Sequence, residues 1–292
     1  MNGCIRSFLF SPADSERKLQ KALAAGADAV IFDLEDSVAA AKRPDARKIA
    51  AAHINGRDDV WVRINPLDSD DADLDLEAVL PAGPAGIVLP KPESAADAID
   101  LAARLEELEA AAGHDPGQTQ ILCICTERPE ALFSLGGYAG ATPRLAGLSW
   151  GAEDLSAAVG ASETRDKLGN WLAPYQLARS LCLFAAAAAE VAAVDTVFTN
   201  LDDETGLQRY ASCARRDGFT GMLAIHPAQI ETINDAFRPS KSEIQHAQRI
   251  LRAFAENPDA GALAVDGAMV DRPHWVQAQR IVALAEAIEN KR

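Results

Sequence analysis

The sequence predicts an α/β chain of eight strand-helix units followed by a C-terminal helical arm. Three observations carry this expectation: short apolar, β-branched runs alternate with helical segments to about residue 235, charged residues follow those runs with unusual regularity, and the pattern changes after Phe237. Eight such units are what a parallel (β/α)8 TIM barrel requires, with a doubly wound sheet as the competing arrangement.

Residues 5–10 read as the first strand; Ser11 and Pro12 turn the chain, and residues 14–25 have helical spacing with Leu19, Ala22 and Leu23 on one face, ended by Gly26. The unbroken apolar run of 29–34 marks a buried second strand, and 44–54 a helix with proline at an early position. Residues 60–64 and 86–90 are the third and fourth strands. Ser94 opens a long amphipathic helix to Ala112, with Ile99, Leu101, Leu105 and Leu108 as its stripe and Gly113 as its stop. Strands follow at 120–125, 145–148, 193–198 and 222–225, with helices at 129–135, 174–190 and 204–217. Residues 1–237 are therefore expected to form the barrel. The arm, 238–292, reads as a helix at 240–256, a loop, a β-prone stretch around Asp266-Gly267, and a last helix at 272–289.

With 292 residues, 48% of them hydrophobic, the chain can bury a large core, and its 24% charged fraction is that of a globular protein. The net charge of −15 argues against nucleic acid as a partner, since phosphate neutralisation needs clustered Lys and Arg. Five cysteines without C-x-x-C spacing suggest neither a disulfide framework nor structural zinc. No secretory leader or long undiluted apolar run is expected to engage a membrane, so a cytoplasmic location is expected.

A barrel carries its active site where the strands end. Strand two delivers Asp33, Glu35 and Asp36; strand three Arg63 and Asn65; strand four Lys91; strand five Glu127 and Arg128; strand six Glu153 and Asp154; strand eight His226. Converging carboxylates need cations. Arg63 and Lys91 offer two, and Glu127 with Asp154 makes a sparse oxygen site of the kind that holds Mg²⁺ while leaving positions to water and substrate. Plainer roles stand beside these: any one acid can cap a helix, Arg63 can simply pair with Glu35, and Lys91 can serve a structural ion pair. Cys123 and Cys125 suit core filling, Trp150 and Trp171 could line a pocket but more commonly pack, and the acidic run 68–75 suits solvated loop and helix-cap charge.

Together and in order, several motifs are highly specific: Arg6-Ser7-Phe8-Leu9-Phe10-Ser11-Pro12, Asp33-Leu34-Glu35-Asp36-Ser37-Val38, Val62-Arg63-Ile64-Asn65, Leu89-Pro90-Lys91, Gly151-Ala152-Glu153-Asp154-Leu155, Ala224-Ile225-His226-Pro227, and Val265-Asp266-Gly267-Ala268-Met269-Val270-Asp271. Over nearly its whole length the chain resembles the citrate lyase β subunit and malyl-CoA lyase group of the HpcH/HpaI aldolase superfamily. The resemblance implies a TIM barrel assembling as a homotrimer or hexamer, Mg²⁺ dependence, and reversible carbon-carbon cleavage of a 3-hydroxyacyl thioester. It puts Glu127 and Asp154 on the metal-ligand positions and Arg63 on the arginine that meets substrate. Asp271 matches an acid on the C-terminal arm that reaches a neighbouring subunit's site, where it would shuttle a proton at the acetyl carbon from a desolvated, raised-pKa carboxyl. Phe10, Lys21, Ile225 and His226 fall on thioester-binding positions, His226 having mainly a loop-holding role. Glu35 and Asp36 are expected to orient Arg63 and metal-bound water.

The chain departs from the family pattern in three places. After strand five it reads Cys125-Thr126-Glu127-Arg128-Pro129-Glu130, which makes Glu130 the alternative ligand; Met222 stands where lysine is common, and Ser15 where some members carry arginine. The activities that follow are an acyl-CoA lyase on malyl-CoA, citramalyl-CoA or a relative, a citrate lyase β subunit working on an acyl-carrier thioester, a pyruvate aldolase without CoA, and a non-catalytic CoA-binding barrel.

Overall fold

Eight parallel strands close on themselves in sequence order: β1 (Ser7–Pro12), β2 (Ala29–Asp33), β3 (Val60–Arg63), β4 (Gly86–Leu89), β5 (Gln120–Ile124), β6 (Leu145–Ser149), β7 (Ala192–Asp195) and β8 (Gly221–Ala224). Pairing of Ser7, Phe8 and Leu9 with Met222, Leu223 and Ala224 joins the last strand to the first, so the barrel and not the doubly wound sheet is what the chain adopts. The computed structural model describes residues 5–290 and divides into two compact units, 5–234 and a C-terminal unit that begins at Asp235.

Side-chain alternation along each strand sorts the barrel into an inside and an outside. Phe8, Ala29, Ile31, Trp61, Val88, Leu122, Ile124, Val194 and Leu223 fill the interior as one buried cluster. Phe8 and Trp61 meet edge to face at 5.7 Å. Trp61 fits because its neighbour across the sheet is Gly86, where a Cβ would stand 2.3 Å from the indole. Continuing the same parity by two residues gives Phe10, Asp33, Arg63, Thr196 and Ile225. The inner layer thus turns from hydrocarbon to chemistry at the strands' carboxyl ends.

Helices α1 (Glu16–Leu23), α2 (Arg43–Ile54), α3 (Asp71–Val79), α4 (Ala95–Ala112), α5 (Ala152–Val159), α6 (Ala173–Ala188), α7 (Glu204–Asp217) and α8 (Ile230–Ala236) connect and follow the strands. Ser94 caps α4 in a reciprocal box with Asp97, and Gly113 ends it with φ +73°. Its buried stripe is Ala95, Ala98, Leu101 and Leu105; Ile99, expected on that stripe, is 50% exposed because the alanines do the packing.

Other expectations are corrected. Ser11 and Pro12 do not turn the chain but extend β1, paired with Phe32 and Asp33. The helix expected at 129–135 is two 3-10 turns, Pro129–Phe133 and Leu135–Tyr138, divided at Ser134, whose φ of −118° is not helical. The acidic run 68–75 opens α3, and its last member is not solvated. Asp75 is fully buried, accepting from the Asn65 backbone N–H (2.8 Å), Asn65 Nδ2 (2.7 Å) and Arg47 Nε (2.7 Å). Asn65 also donates to the Leu34 carbonyl, so this network ties the ends of β2 and β3 together.

The C-terminal unit holds its own small core. Helix α9 (Lys241–Glu256), the antiparallel hairpin β9 (Ala262–Val265) and β10 (Ala268–Asp271), and α10 (Arg272–Asn290) bury Ala247, Ile250, Phe254, Val265, Val270 and Ala278 together. The hairpin closes through Asp266 and Gly267, both at positive φ, as a two-residue turn between right-twisted strands requires. Among the described residues no helix is long and apolar enough to cross a membrane.

Candidate active site

A cavity of about 290 Å³ opens at the carboxyl ends of the strands. Phe10, Ile124, Trp150, Val197, Leu223 and Ile225 supply its apolar wall, and Asp33, Arg63, Glu127, Glu153, Asp154 and Thr196 its polar one. Arg63 is the anchor. Asp33 and Arg63 are register partners on adjacent strands, so the guanidinium lies against the carboxylate: Nε donates to Oδ1 and Nη2 to Oδ2, both at 2.7 Å. Nη1 lies 2.9 Å from Glu35 Oε2, and the Phe10 ring covers the guanidinium carbon at 4.8 Å. Burial opposes charge on Asp33, but the Arg63 guanidinium outweighs it and holds the carboxyl below its usual range.

Lys91 organises the opposite side. Its backbone is left-handed, φ +50°, an unusual conformation for a side-chain-bearing residue. In that conformation its N–H donates to Glu127 Oε2 at 2.6 Å while its ammonium reaches Glu35 (2.5 Å), Asp36 (3.0 Å) and Asp154 (3.3 Å). Asp36 therefore touches Lys91 and has no bond to Arg63, unlike the orienting role expected of it; Glu35 bridges the two cations. Burial lifts the Glu35 carboxyl in spite of both cations. Glu127, only 4% exposed, is raised well above the usual carboxylate range by burial and then by the like charges of Glu35 and Asp154.

Charge counting gives the chemistry. Asp33, Glu35, Asp36, Glu127 and Asp154 face two cations, Arg63 and Lys91, and the excess negative charge is what a divalent cation neutralises. Among the described residues no three His, Cys, Asp or Glu side chains stand together as a complete metal cage. Two carboxylates with the remaining positions left to water and substrate suit a hard, octahedral, oxygen-seeking ion and not zinc. Glu130, the alternative ligand, is exposed and lines none of this cavity.

Other expected site residues fall in different places. Ile225 lines the cavity, whereas His226 caps the turn Pro227–Gln229, its Nδ1 accepting from the Ala228 N–H. Lys21 is exposed on the last turn of α1 and is not part of the cavity wall. Asp271 lies at the end of β10 in the C-terminal unit, where within its own chain it is half-exposed and a hydrogen bond from His274 holds its carboxyl low.

The Asp195 network behind the cavity was not singled out by the sequence. Trp150, for which packing was the commoner expectation and pocket lining the rarer, does both: it is fully buried and a cavity wall, its indole N–H donating to Asp195 at 2.7 Å. Asp195 has no exposure and also accepts from Tyr210 (2.8 Å) and Arg179 (2.8 Å). Asp33 was visible as a strand-end acid. Its two-residue offset from buried Ile31, matching the offset of Arg63 from Trp61, is the signal that the two face each other.

The sequence matches the HpcH/HpaI aldolase/citrate lyase family over residues 6–227. The chain belongs to this family. Membership makes it a carbon-carbon lyase by class. It is 33% identical to citrate lyase subunit beta of Haemophilus influenzae, with 97% of each chain covered. It is 36% identical to (3S)-malyl-CoA thioesterase of Cereibacter sphaeroides, covering 97% of this chain and 95% of that one. CitE of Mycobacterium tuberculosis, solved in complex with magnesium, acetoacetate and coenzyme A, is 35% identical, with a TM-score of 0.80 over 98% of this chain and 100% of that one.

Proposed function

We propose that this chain is a magnesium-dependent lyase that cleaves a 3-hydroxyacyl-CoA thioester of the malyl-CoA or citramalyl-CoA type. The products are acetyl-CoA or a related acyl-CoA and an α-keto acid, glyoxylate or pyruvate. The observation that carries the reading is the presence of Arg63, Glu127 and Asp154 on one cavity wall with carboxylate in excess. A relative holding magnesium, acetoacetate and coenzyme A supports it.

Glu127 and Asp154 would hold the metal. When bound, magnesium supplies Lewis acidity and a template for the α-keto acid. Arg63, fixed by Asp33 and Glu35, presents its charge to the oxygen on which negative charge develops; loss of such a donor costs about 3 to 4 kcal/mol of transition-state stabilisation. Lys91 and Glu35 keep the acids in place. The substrate hydroxyl gives its proton to solvent as its oxygen becomes the keto carbonyl, the electron pair of the breaking carbon-carbon bond passes into the thioester as an enolate, and Asp271 on the arm of a neighbouring subunit, reprotonated from solvent in turn, delivers a proton to the acetyl carbon. Phe10 and Ile225 at the mouth form the apolar side of the thioester channel, with His226 holding the loop beside them and Lys21 meeting the carrier's phosphates. This makes the working unit a homo-oligomer, a trimer or hexamer.

The test is incubation with Mg²⁺ and a panel of acyl-CoA thioesters, with keto acid release as the readout. Cleavage of malyl-CoA or citramalyl-CoA that EDTA abolishes supports the reading; metal-independent cleavage, or none with any CoA thioester, overturns it. A second reading, a citrate lyase β subunit, draws on the 97% mutual coverage with the Haemophilus protein. Release of oxaloacetate from a citryl acyl-carrier thioester, with CoA thioesters left intact, favours that one.

A further inference from the structure

Asp271 does not stand alone. It ends β10 and leads straight into α10, and in the first turn of that helix His274 brings Nδ1 to 2.5 Å from its carboxylate Oδ1 and to 3.3 Å from its backbone nitrogen. The hairpin is fixed at its other end too, where the turn residue Asp266 accepts from Arg249 Nε (2.9 Å) and contacts His246 Nδ1 (2.8 Å), both on α9. Strand β10 is thus held to the helices at each end by an aspartate and a histidine. A four-residue edge with half-exposed side chains would otherwise leave Asp271 free to rotate about χ1 and χ2. Proton delivery to carbon tolerates little such freedom.

We propose that His274 is a positioning residue for Asp271. Its ring N–H fixes Oδ1 and leaves Oδ2 as the oxygen that faces the acetyl carbon. The inference rests on the reading of Asp271 as the acid of the lyase reaction and deepens it. Nothing in it requires the imidazole to exchange a proton itself: an N–H in the same place serves equally. Asparagine supplies that, because its Nδ2 occupies nearly the position of the histidine Nδ1, whereas alanine supplies nothing.

The experiment compares full-length wild type, His274→Ala, His274→Asn and Asp271→Ala with Mg²⁺ and malyl-CoA or citramalyl-CoA, measuring kcat and KM separately. The expected result is a kcat lowered about tenfold or more in His274→Ala with KM within about twofold, and recovery of most of that loss in His274→Asn. Both side chains are half exposed, so circular dichroism melts of the variants should overlay wild type. An inactive Asp271→Ala beside a fully active His274→Ala overturns the inference and leaves the lyase reading standing. Equal impairment of the alanine and asparagine variants, or a change in KM alone, overturns it as well. A fully active Asp271→Ala removes the underlying role of Asp271 and the inference with it.

Discussion

Gly151 lies so close to Glu127 that a Cβ there would stand 2.5 Å from Glu127 Cγ. Its φ is ordinary, −112°, so glycine is needed for space and not for backbone freedom. Glu127 cannot retreat, because its Oε2 is held by the Lys91 amide and its side chain is buried. Gly151→Ala is therefore expected to displace the Glu127 carboxylate, lowering kcat about a hundredfold. Mn²⁺ affinity should fall in parallel, and titration followed by electron paramagnetic resonance checks it; unchanged affinity would show that Glu127 holds its place.

Asp33→Asn tests the anchor of Arg63. The amide keeps the shape but loses the charge, leaving a guanidinium that is mostly buried with Glu35 as its remaining carboxylate partner. Breaking a buried pair on one side destabilises by about 3 to 5 kcal/mol, and the freed Arg63 should also lose its orientation. Urea melts should register the first effect and kcat the second. Asp36→Asn, whose carboxylate is more than half exposed and touches Lys91 alone among these cations, should change stability by less than about 1 kcal/mol.

The contrast between Asp33 and Asp36 also marks how far the sequence could be read. Strand periodicity located all eight strands to within a few residues, because a barrel interior demands apolar runs whose register hydrogen bonds then enforce. It could not tell which of several strand-end acids faces inward until parity was referred to a buried neighbour: Ile31 for Asp33, Trp61 for Arg63. Helix α3 was hidden because its polar opening looked like solvent-facing charge, when Asp75 is in fact satisfied by Asn65 and Arg47. Helix α5 was hidden because Glu153 and Asp154 drew attention as strand-end chemistry, and an acidic first turn is equally what a helix N-terminus favours. The central role of Lys91 depends on a positive φ, which a lysine does not advertise.

Acid sensitivity should trace to the foot of the barrel, away from the chemistry. Glu109 is buried, which opposes its charge, but Arg144 and the backbone N–H groups of Thr119 and Gly117 outweigh this and bring its pKa to about 2. In the unfolded chain it returns to about 4.5. A carboxyl depressed by folding stabilises fully above its unfolded pKa and loses that contribution as pH falls toward its folded one. The difference corresponds to about 3 kcal/mol. Wild type should exceed Glu109→Gln in stability by about that amount near neutral pH, and the gap should narrow from about pH 4.5 downward toward pH 2. Urea titrations of the two proteins across that range measure it; a constant gap would remove Glu109 as the source.

The proposed completion of one subunit's site by another's arm makes a prediction that no single variant can. If Arg63 and Asp271 of one site come from different chains, Arg63→Lys and Asp271→Ala fail for independent reasons, and a mixed oligomer contains some sites with neither defect. Random reassembly of equal amounts places an intact Arg63 against an intact Asp271 in about a quarter of the sites, since each comes from the correct parent half the time. Co-expressed and co-purified variants should therefore recover about a quarter of wild-type turnover although each alone is nearly inactive. If both residues came from the same chain, every site would keep one defect and mixing would restore nothing. The two arrangements differ in outcome without reference to which acyl-CoA is cleaved, and an inert mixture would return Asp271 to the barrel of its own chain.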